Sequence, residues 1–217
     1  MNDGWREALN ECVKNGYDYR IKRGSYKGQI RRQLENLTLI IERPWTKPFN
    51  FYMPGAATIP PPTDHRRVNR YFEEYIITDT KCEGEDYTYG QYIAPNISKV
   101  IQILNEAEGQ TNQATINIGR PEDIDLDDPP CLRVVDFKVV NNSLNLSVYF
   151  RSWDLFAGLP ENLGGLQLLK EFVLMHLDFP VVDGKLQAFS TGAHVYEQYF
   201  PIVNTLNIHQ IAIKEDV

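Results

Sequence analysis

A cysteine and an arginine, separated by one predicted β-hairpin, are the residues with the clearest chemical potential. Cys131 follows Pro129 and Pro130, Arg151 ends the return strand, and Asp154 comes three residues later. A cysteine is a nucleophile only as a thiolate, and a fixed guanidinium nearby favours the thiolate. Proline fixes φ, so the thiol projects from a stiff backbone. The segment therefore offers a nucleophile, an anion-binding group and a carboxylate.

Each of these residues also has an ordinary structural interpretation. Taken alone, Cys131 is most often a buried thiol and Arg151 a surface ion-pair partner. Asp154 suits a cap of the following turn, and Asn162 an N-cap or first-turn residue of the next helix. His194 suits a packed side chain. Only the order and spacing of these residues favour a site.

Other classes of site find less support. The four histidines are scattered without paired ligand spacing, so we expect no metal site. The chain has no Gly-x-Ser-x-Gly elbow, P-loop or glycine-rich dinucleotide motif. A hydrolase with a carboxylate pair remains an alternative, because Glu73, Glu74, Asp127 and Asp128 are available, although their spacing does not support it.

Composition narrows the class of protein further. A chain of 217 residues, 42% hydrophobic and 24% charged, suits one domain over residues 1–217. The net charge of -7 argues against a nonspecific nucleic-acid binder. Cys12, Cys82 and Cys131 are irregularly spaced, which indicates a reducing compartment. We expect a cytoplasmic protein without signal peptide or membrane span.

Helices and strands alternate in the predicted element order, which indicates an α/β protein. The stretch 17–34 is basic and polar, and the proline-rich stretch 42–64 is predicted to be an ordered loop or irregular crossover without a regular element. The predicted helices run from Asn2 or Asp3 to Gly16, from His65 to Ile77, from an Asn96 cap to Gly109, and from Glu161 to Leu177. The predicted strands are 37–41, 114–118, 131–140, 144–150 and, after an Asp183-Gly184 turn, 186–191.

The chain resembles folate-dependent thymidylate synthase, in the short form of archaea and some phages. Four motifs carry the resemblance in the family's order: Pro129-Pro130-Cys131, Arg151-Ser152-Trp153-Asp154, Gly158-Leu159-Pro160-Glu161-Asn162 and His194-Val195-Tyr196. Tyr87-Thr88-Tyr89-Gly90 is similar to a further family segment. The resemblance implies an α/β (α+β) three-layer fold, with a large mixed sheet packed by helices, and a homodimer.

The resemblance also implies a reaction, the methylation of carbon 5 of dUMP by a methyltransferase that uses 5,10-methylenetetrahydrofolate. Cys131 would be the thiolate that adds to carbon 6 of the uracil. Arg151 and Ser152 would bind the substrate phosphate. Arg23 would supply the arginine of the family's phosphate loop.

The remaining roles concern the base, the sugar and the folate. Asn162 would read uracil, because an amide can accept from N3–H and donate to the 4-oxo group. His194 and Tyr196 would hold the sugar hydroxyl. Asp154 would contact the pterin, and Tyr89 would help to remove the proton from carbon 5 through water.

The chain departs from the family at three places. The family's twin arginines correspond to Asn112 and Gln113, so Arg23 or other residues of the basic stretch would have to compensate, unless that stretch is a solvated loop. Leu132 replaces the histidine that follows the nucleophile. The conserved glutamate has only a guessed counterpart in Glu73 or Glu74. Two alternatives stay open: a pyrimidine nucleotide hydroxymethylase on the same fold, and a non-catalytic nucleotide- or folate-binding relative.

Overall fold

Two mixed β-sheets packed by helices form the computed structural model, which describes residues 1–51, 53, 60–81 and 83–206. The α-helices of these residues are α1 (Asn2–Asn15), α2 (His65–Tyr71), α3 (Gly90–Glu106) and α4 (Gly158–Leu174), and a further helical segment covers residues 200–206. A π-helical turn, Phe72–Ile76, continues α2, and short 3₁₀ turns cover Pro121–Asp125 and Glu197–Tyr199. The strands are β1 (Tyr17–Arg20), β2 (Ile30–Gln33), β3 (Leu37–Ile41), β4 (Thr115–Asn117), β5 (Leu132–Val140), β6 (Ser143–Phe150), β7 (Trp153–Asp154), β8 (Val182–Ser190) and β9 (Ala193–Tyr196). The predicted mixed α/β fold class is confirmed.

The sheet orders show how distant segments meet. The larger sheet runs β3-β8-β6-β5-β4, and the smaller runs β1-β2-β9-β7. β6 pairs with β8 in parallel, and β7 with β9 in parallel, whereas the other pairings are antiparallel. The smaller sheet therefore places the basic N-terminal stretch beside the segments that follow β6 and β8.

The β5–β6 hairpin forms as the sequence predicts. Asn141 and Asn142 adopt φ values of 50° and 58°, the left-handed conformation that asparagine tolerates in a two-residue turn. The apolar residues of β6 alternate into the core. At the open end, the backbone N–H of Arg151 donates to the carbonyl of Cys131 at 2.9 Å. The hairpin thus brings the two residues with the clearest chemistry side by side.

Helix α4 is buried along most of its length and packs closely on α2. A Cβ at Gly164 would lie 2.6 Å from Cγ1 of Val68, and one at Gly165 would lie 2.7 Å from Cδ1 of Tyr71. Both distances are shorter than a carbon–carbon contact allows. The two glycines therefore permit a close approach, which brings the Tyr71 ring against the α4 backbone.

The alternative of a solvated loop over residues 17–34 is wrong. This stretch forms the antiparallel hairpin β1–β2, and β2 pairs with β9. Ladder hydrogen bonds and the alternation of side chains between two faces stabilise it without a continuous apolar pattern. The loop between the two strands is mostly exposed, whereas Arg31 and Arg32 on β2 are half-buried.

Two predicted helix starts were placed too late. Helix α3 begins at Gly90, six residues before Asn96, whose side chain instead donates to the carbonyl of Tyr92 at 2.8 Å. Burial of Tyr92 and Ile93 against the core offsets the hydrogen bond that Pro95, inside the helix, cannot donate. Helix α4 begins at Gly158, so Asn162 is its fifth residue and not a cap.

Three smaller predictions also differ from the structure. Helix α1 has Met1 at its N-cap, without a side-chain hydrogen bond, in place of Asn2 or Asp3. Asp183 and Gly184 lie inside β8, at a register shift against β6, and do not form a preceding turn. The aromatic residues of the proline-rich stretch suggest burial by their type, and Phe49 and Phe51 are buried, whereas Trp45 is 38% exposed. Cys82 lies outside the described residues.

Candidate active site

A cleft of about 390 Å³ opens beside Cys131. Its walls come from the β1–β2 loop, the segment before β5 and the segment after β6. The lining residues are Ile21, Arg23, Ser25, Tyr26, Arg31, Asp127, Asp128, Pro129, Cys131, Arg151, Ser152 and Tyr196. Five residues predicted from the sequence are among them: Cys131, Arg151, Ser152, Tyr196 and Arg23. Tyr89, Asn162, Asp154 and His194 are not part of this wall.

Arg151 is held against Cys131 by the backbone of the two prolines. Its Nε donates to the carbonyl of Pro130 at 3.1 Å, and Nη2 donates to the carbonyl of Pro129. The same Nη2 lies 3.8 Å from the Cys131 Sγ. The guanidinium is therefore fixed beside the thiol, as the sequence predicts.

Burial controls the charge state of this thiol. It raises the pKa of Cys131 above the ordinary value, Arg151 and Arg31 oppose that rise, and Asp128 adds to it. The expected influence of Arg151 is right in sign, but burial is the larger effect. The thiol therefore rests protonated at neutral pH, and deprotonation must accompany any attack on a substrate.

Three tyrosines lie around Cys131 and the backbone next to it. The Tyr89 hydroxyl accepts the backbone N–H of Leu132 at 3.3 Å, and the Tyr87 hydroxyl interacts with both the thiol and the backbone N–H of Cys131. Tyr75 is hydrogen-bonded to Tyr87, and its ring lies 5.2 Å from that of Tyr89. Burial raises the pKa of Tyr87 to about 12, so this hydroxyl stays protonated.

The Asn162 amide has a fixed orientation. Its Oδ1 accepts from the indole Nε1 of Trp153 at 3.0 Å, and its Nδ2 donates to the hydroxyl of Tyr71 at 2.7 Å. An indole N–H can only donate, so the atom facing Trp153 must be the carbonyl oxygen. One lone pair on Oδ1 and one hydrogen on Nδ2 remain for a ligand. Tyr71 is close enough to Cys131 for that residue's charge to affect the pKa of Tyr71.

His194 presents a buried acceptor. Its Nδ1 lies 2.7 Å from the carbonyl of Gly192, which can only accept, so Nδ1 carries the hydrogen. Nε2 is buried and has no hydrogen-bond partner among the described residues. Burial, and to a lesser extent Arg31 and Arg151, lowers the pKa of His194 to about 4. The imidazole is therefore neutral at pH 7. Its ring lies 4.7 Å from the Tyr196 ring, which stacks on Tyr26 at 4.3 Å.

Asp154 caps the turn before α4, as its ordinary structural interpretation predicts. Its Oδ1 accepts the backbone N–H groups of Phe156 at 2.9 Å and Ala157 at 3.2 Å. Burial raises the pKa of this carboxyl to about 6 despite those bonds. Asp154 stands opposite His194 in the β7–β9 register, and its charge influences the pKa of Tyr196. Oδ2 makes neither of these turn bonds.

Some residues predicted from the sequence are not brought together. Glu73 and Glu74 are exposed on the π-helical turn and do not line the cleft. Asn112 and Gln113 are exposed in the segment before β4. Arg23 lies at the cleft, where its Nη2 donates to the carbonyl of Leu126 at 3.2 Å.

The structure also adds residues that the sequence did not single out. Arg31 and Tyr26 line the cleft, Tyr71 and Trp153 hold Asn162, and Tyr87 contacts Cys131. Tyr87 and Trp153 lie within the quoted motifs, so proximity in sequence was an available signal for them. Tyr71 and Arg31 reach the site through tertiary packing and strand pairing.

The described ranges lack the features of two other kinds of site. No helix in this part of the chain is long and apolar enough to cross a membrane. Within the same ranges, no group of three or more His, Cys, Asp or Glu side chains is arranged to hold a metal ion.

Comparison with known proteins assigns the family. A family profile described as "Thymidylate synthase" matches residues 77–211, which include the four motifs around the cleft. This chain belongs to the thymidylate synthase family. A "Putative thymidylate synthase" of Methanococcoides burtonii is 30% identical over 203 residues, covering 91% of this chain and 87% of the relative. A Methanosarcina acetivorans protein of the same name is 28% identical over 214 residues, covering 95% of this chain and 91% of the relative.

One further match is much shorter, although its identity is higher. The protein of that name from Wigglesworthia glossinidia brevipalpis is 42% identical over 55 residues, or 25% of this chain and 21% of the relative. The archaeal matches extend over most of both chains, as the resemblance to the short archaeal form implies.

Proposed function

We propose that this protein is a thymidylate synthase that converts dUMP to dTMP with 5,10-methylenetetrahydrofolate. One observation carries the proposal: a cysteine thiol lies beside a fixed guanidinium, and its charge reaches Tyr71, whose hydroxyl holds an amide with defined donor and acceptor sides. The names of the archaeal relatives support the same reaction. Residues from Arg23 to Tyr196 contribute, which supports one catalytic domain over residues 1–217.

Cys131 is the proposed nucleophile. Carbon 5 of uracil is a poor nucleophile, and addition of the Cys131 thiolate to carbon 6 makes carbon 5 part of an enolate. The resting thiol must lose its proton, and Arg151 and Arg31 favour the thiolate electrostatically. Elimination of the sulfur later re-forms the double bond of the ring. The Tyr89 hydroxyl accepts the backbone N–H of Leu132, the residue after the nucleophile. Tyr89 is proposed to help remove the carbon 5 proton through water.

Asn162 is proposed to recognise the base. Its free lone pair on Oδ1 would accept from N3–H, and its free hydrogen on Nδ2 would donate to the 4-oxo group. Cytosine offers an acceptor and a donor in the reverse order, so it mismatches an amide held this way. Trp153 and Tyr71 act as positioning residues, because they prevent the amide from turning over.

The sugar and phosphate have separate proposed partners. His194 is a neutral acceptor at Nε2, which suits a sugar hydroxyl, and Tyr196 lies beside it. Arg151 and Ser152 are proposed to bind the phosphate, with Arg23 at the cleft rim. Asp154 is proposed to contact the pterin through Oδ2, since Oδ1 is engaged by the turn. The folate supplies the one-carbon unit and the hydride.

A homodimer is proposed for this protein on the basis of its exposed apolar strand residues. Ile40, Val140, Val182 and Phe189, on strands of the larger sheet, are 50%, 50%, 61% and 41% exposed. Apolar side chains concentrated on one sheet suit burial against a second copy. Sedimentation velocity should give a dimer, and Phe189→Glu should shift the distribution toward the monomer.

One observation favours the hydroxymethylase alternative. Glu73 and Glu74, the guessed counterparts of the family's conserved glutamate, lie outside the cleft wall. Loss of that carboxylate slows proton handling, so water could trap the methylene carbon at carbon 5. The product would then carry a hydroxymethyl group in place of a methyl group.

Release of tritium from carbon 5 of labelled dUMP, followed by the product mass, tests both alternatives. We expect tritium release with folate and a product of the mass of dTMP. A hydroxymethyl product would replace the proposed reaction with the alternative. A covalent complex with fluoro-dUMP and folate should form in the native protein and be lost in Cys131→Ala.

Cys12→Ala is the matched control for this complex. Cys12 is buried, and burial raises the pKa of its thiol to about 12, so it should not react. The complex should therefore persist in Cys12→Ala. If neither turnover nor a covalent complex is found in the native protein, the non-catalytic relative becomes the correct assignment.

A further inference from the structure

Arg31 places a positive charge in the cleft without a carboxylate partner among the described residues. Its Nε donates to the Tyr19 hydroxyl, its Nη1 lies 3.5 Å from the Ser152 Oγ, and it interacts with the Tyr196 hydroxyl. Its guanidinium carbon also lies 4.8 Å from the centre of the Tyr19 ring. Tyr19 uses its own hydrogen on Gln33 at 3.0 Å, so its oxygen is free to accept from Arg31. All these partners are neutral.

The neighbouring arginine shows the opposite arrangement. Arg32 points to the other face of β2, as strand alternation requires, and pairs with Asp18 through two bonds of 2.7 and 2.9 Å. The chain thus neutralises Arg32, outside the cleft wall, and leaves the half-buried Arg31 unneutralised. Desolvating an unpaired cation is costly, and such an arrangement is typical of a site whose counter-ion is the ligand.

Arg31 and Arg151 also approach each other. The two guanidinium groups are close enough that the charge of Arg151 lowers the pKa of Arg31. Ser152, which follows Arg151, contacts Arg31. Two guanidinium groups repel each other unless an anion lies between them, and a phosphate group can accept hydrogen bonds from both. Asp128, a carboxylate of the same cleft, is engaged by the backbone N–H and hydroxyl of Ser25.

We propose that Arg31 is a second phosphate-binding arginine, supplied by the same chain as Arg151 and Cys131. The inference rests on the proposed function and deepens it. Asn112 and Gln113 stand where the resemblance places an arginine pair, so this chain must obtain its cations elsewhere. With Arg31 and Arg151 on one cleft wall, phosphate recognition is complete within a single chain. The ligand class is a phosphomonoester dianion.

The primary test compares dUMP with deoxyuridine, which lacks the phosphate, by calorimetric titration. Arg31→Gln should weaken dUMP binding by about 10- to 100-fold, the range for losing a hydrogen bond to a charged group, and leave deoxyuridine binding unchanged. Arg31→Lys keeps the charge but loses the forked geometry of the guanidinium, so its affinity for dUMP should lie between those of the native protein and Arg31→Gln. Arg32→Gln is the matched control on the same strand and should bind dUMP like the native protein.

Thermal unfolding separates ligand binding from a structural role. Because Arg31 has no anionic partner in the part of the chain that the structure describes, Arg31→Gln should melt no lower than the native protein when no nucleotide is added. The melting increase caused by dUMP should shrink in the variant. Equal losses of dUMP and deoxyuridine binding, or a lowered melting temperature with unchanged dUMP affinity, would refute the proposal.

Mixing the inactive Cys131→Ala chain with the weakened Arg31→Gln chain tests whether Arg31 acts within its own chain. In mixtures of Cys131→Ala and Arg31→Gln chains, a same-chain arrangement leaves every site without one of the two residues. Activity should therefore not rise above that of Arg31→Gln alone. Recovery of a native site would show that Arg31 acts on the partner chain, which overturns the proposal.

Failure of the proposed function would have a different signature. If the native protein binds dUMP no more tightly than deoxyuridine, dUMP is the wrong ligand, and inorganic phosphate becomes the probe. Phosphate binding that is lost in Arg31→Gln and kept in Arg32→Gln would still support the anion site. Equal phosphate binding in all three proteins would remove it.

Discussion

Between about pH 4 and pH 6.5, two groups on β7 and β9 should affect the stability of the protein with opposite signs. Asp154 and His194 stand opposite each other in the strand register. Burial raises the pKa of Asp154 from 3.8 to about 6 and is the main cause that lowers the pKa of His194 from 6.5 to about 4. A tenfold change in proton affinity corresponds to about 1.4 kcal/mol. Each group therefore contributes about 3 kcal/mol across this pH range.

The signs follow from which state binds more protons. Folded Asp154 holds its proton to higher pH than the unfolded chain, so its contribution is full below pH 4 and is lost as the pH rises to about 6. Folded His194 stays neutral to lower pH, so its contribution is full above pH 6.5 and is lost as the pH falls to about 4. In the native protein the two contributions nearly cancel.

Removing one of the two groups should reveal the pH dependence of stability that the other contributes. The free energy of unfolding of His194→Asn, relative to the native protein, should fall by about 3 kcal/mol from pH 4 to pH 6.5. That of Asp154→Asn should rise by about 3 kcal/mol over the same range. Urea unfolding followed by tryptophan fluorescence at five or six pH values measures both slopes. A constant offset, such as loss of the Asp154 turn bonds, does not affect them. Parallel curves for both variants would refute the assignment of neutral forms to these two groups.

Two further predictions concern the residues around the thiol. Tyr71→Phe leaves the Nδ2 of Asn162 without its buried acceptor and should cost about 1–3 kcal/mol in kcat/KM for dUMP, measured by steady-state kinetics, with little change in the Kd of inorganic phosphate. Unchanged kcat/KM would show that Tyr71 does not position the amide. Alkylation of Cys131 by iodoacetamide should still increase above pH 9, and Arg151→Gln should shift the profile to higher pH. A plateau near neutral pH in the native protein would contradict the effect of burial on this thiol.

Local patterns were sufficient to predict the elements that carry the nucleophile. The alternation along β6 and the Asn141-Asn142 turn specify the β5–β6 hairpin, and that hairpin alone brings Arg151 to Cys131. Its motif identified Asn162 as a site residue, but the sequence did not show that Asn162 is the fifth residue of α4. For these features, the information lies within a few residues of the element concerned.

The rest of the site depends on contacts between distant segments. Arg31 reaches the cleft only because β2 pairs with β9, and the polar sequence of β2 gives little sign of a strand. The Tyr71 hydroxyl reaches Asn162 because α2 packs on α4. The sequence also could not predict the net shift in the pKa of Cys131. The effect of Arg151 on this pKa was foreseeable, whereas the larger effect of burial depends on the fold.

The two glycines of α4 control the depth at which Tyr71 sits. Gly165 lies one helical turn after Asn162, and even a single methyl group there would meet the Tyr71 ring at 2.7 Å. The hydroxyl of that ring holds the amide proposed to recognise the base. If Asn162 recognises the base as proposed, selectivity between uracil and cytosine depends on the absence of a side chain at Gly165. A methyl group added at Gly165 would act on substrate choice from a distance, by displacing Tyr71 and freeing the Asn162 amide to turn over.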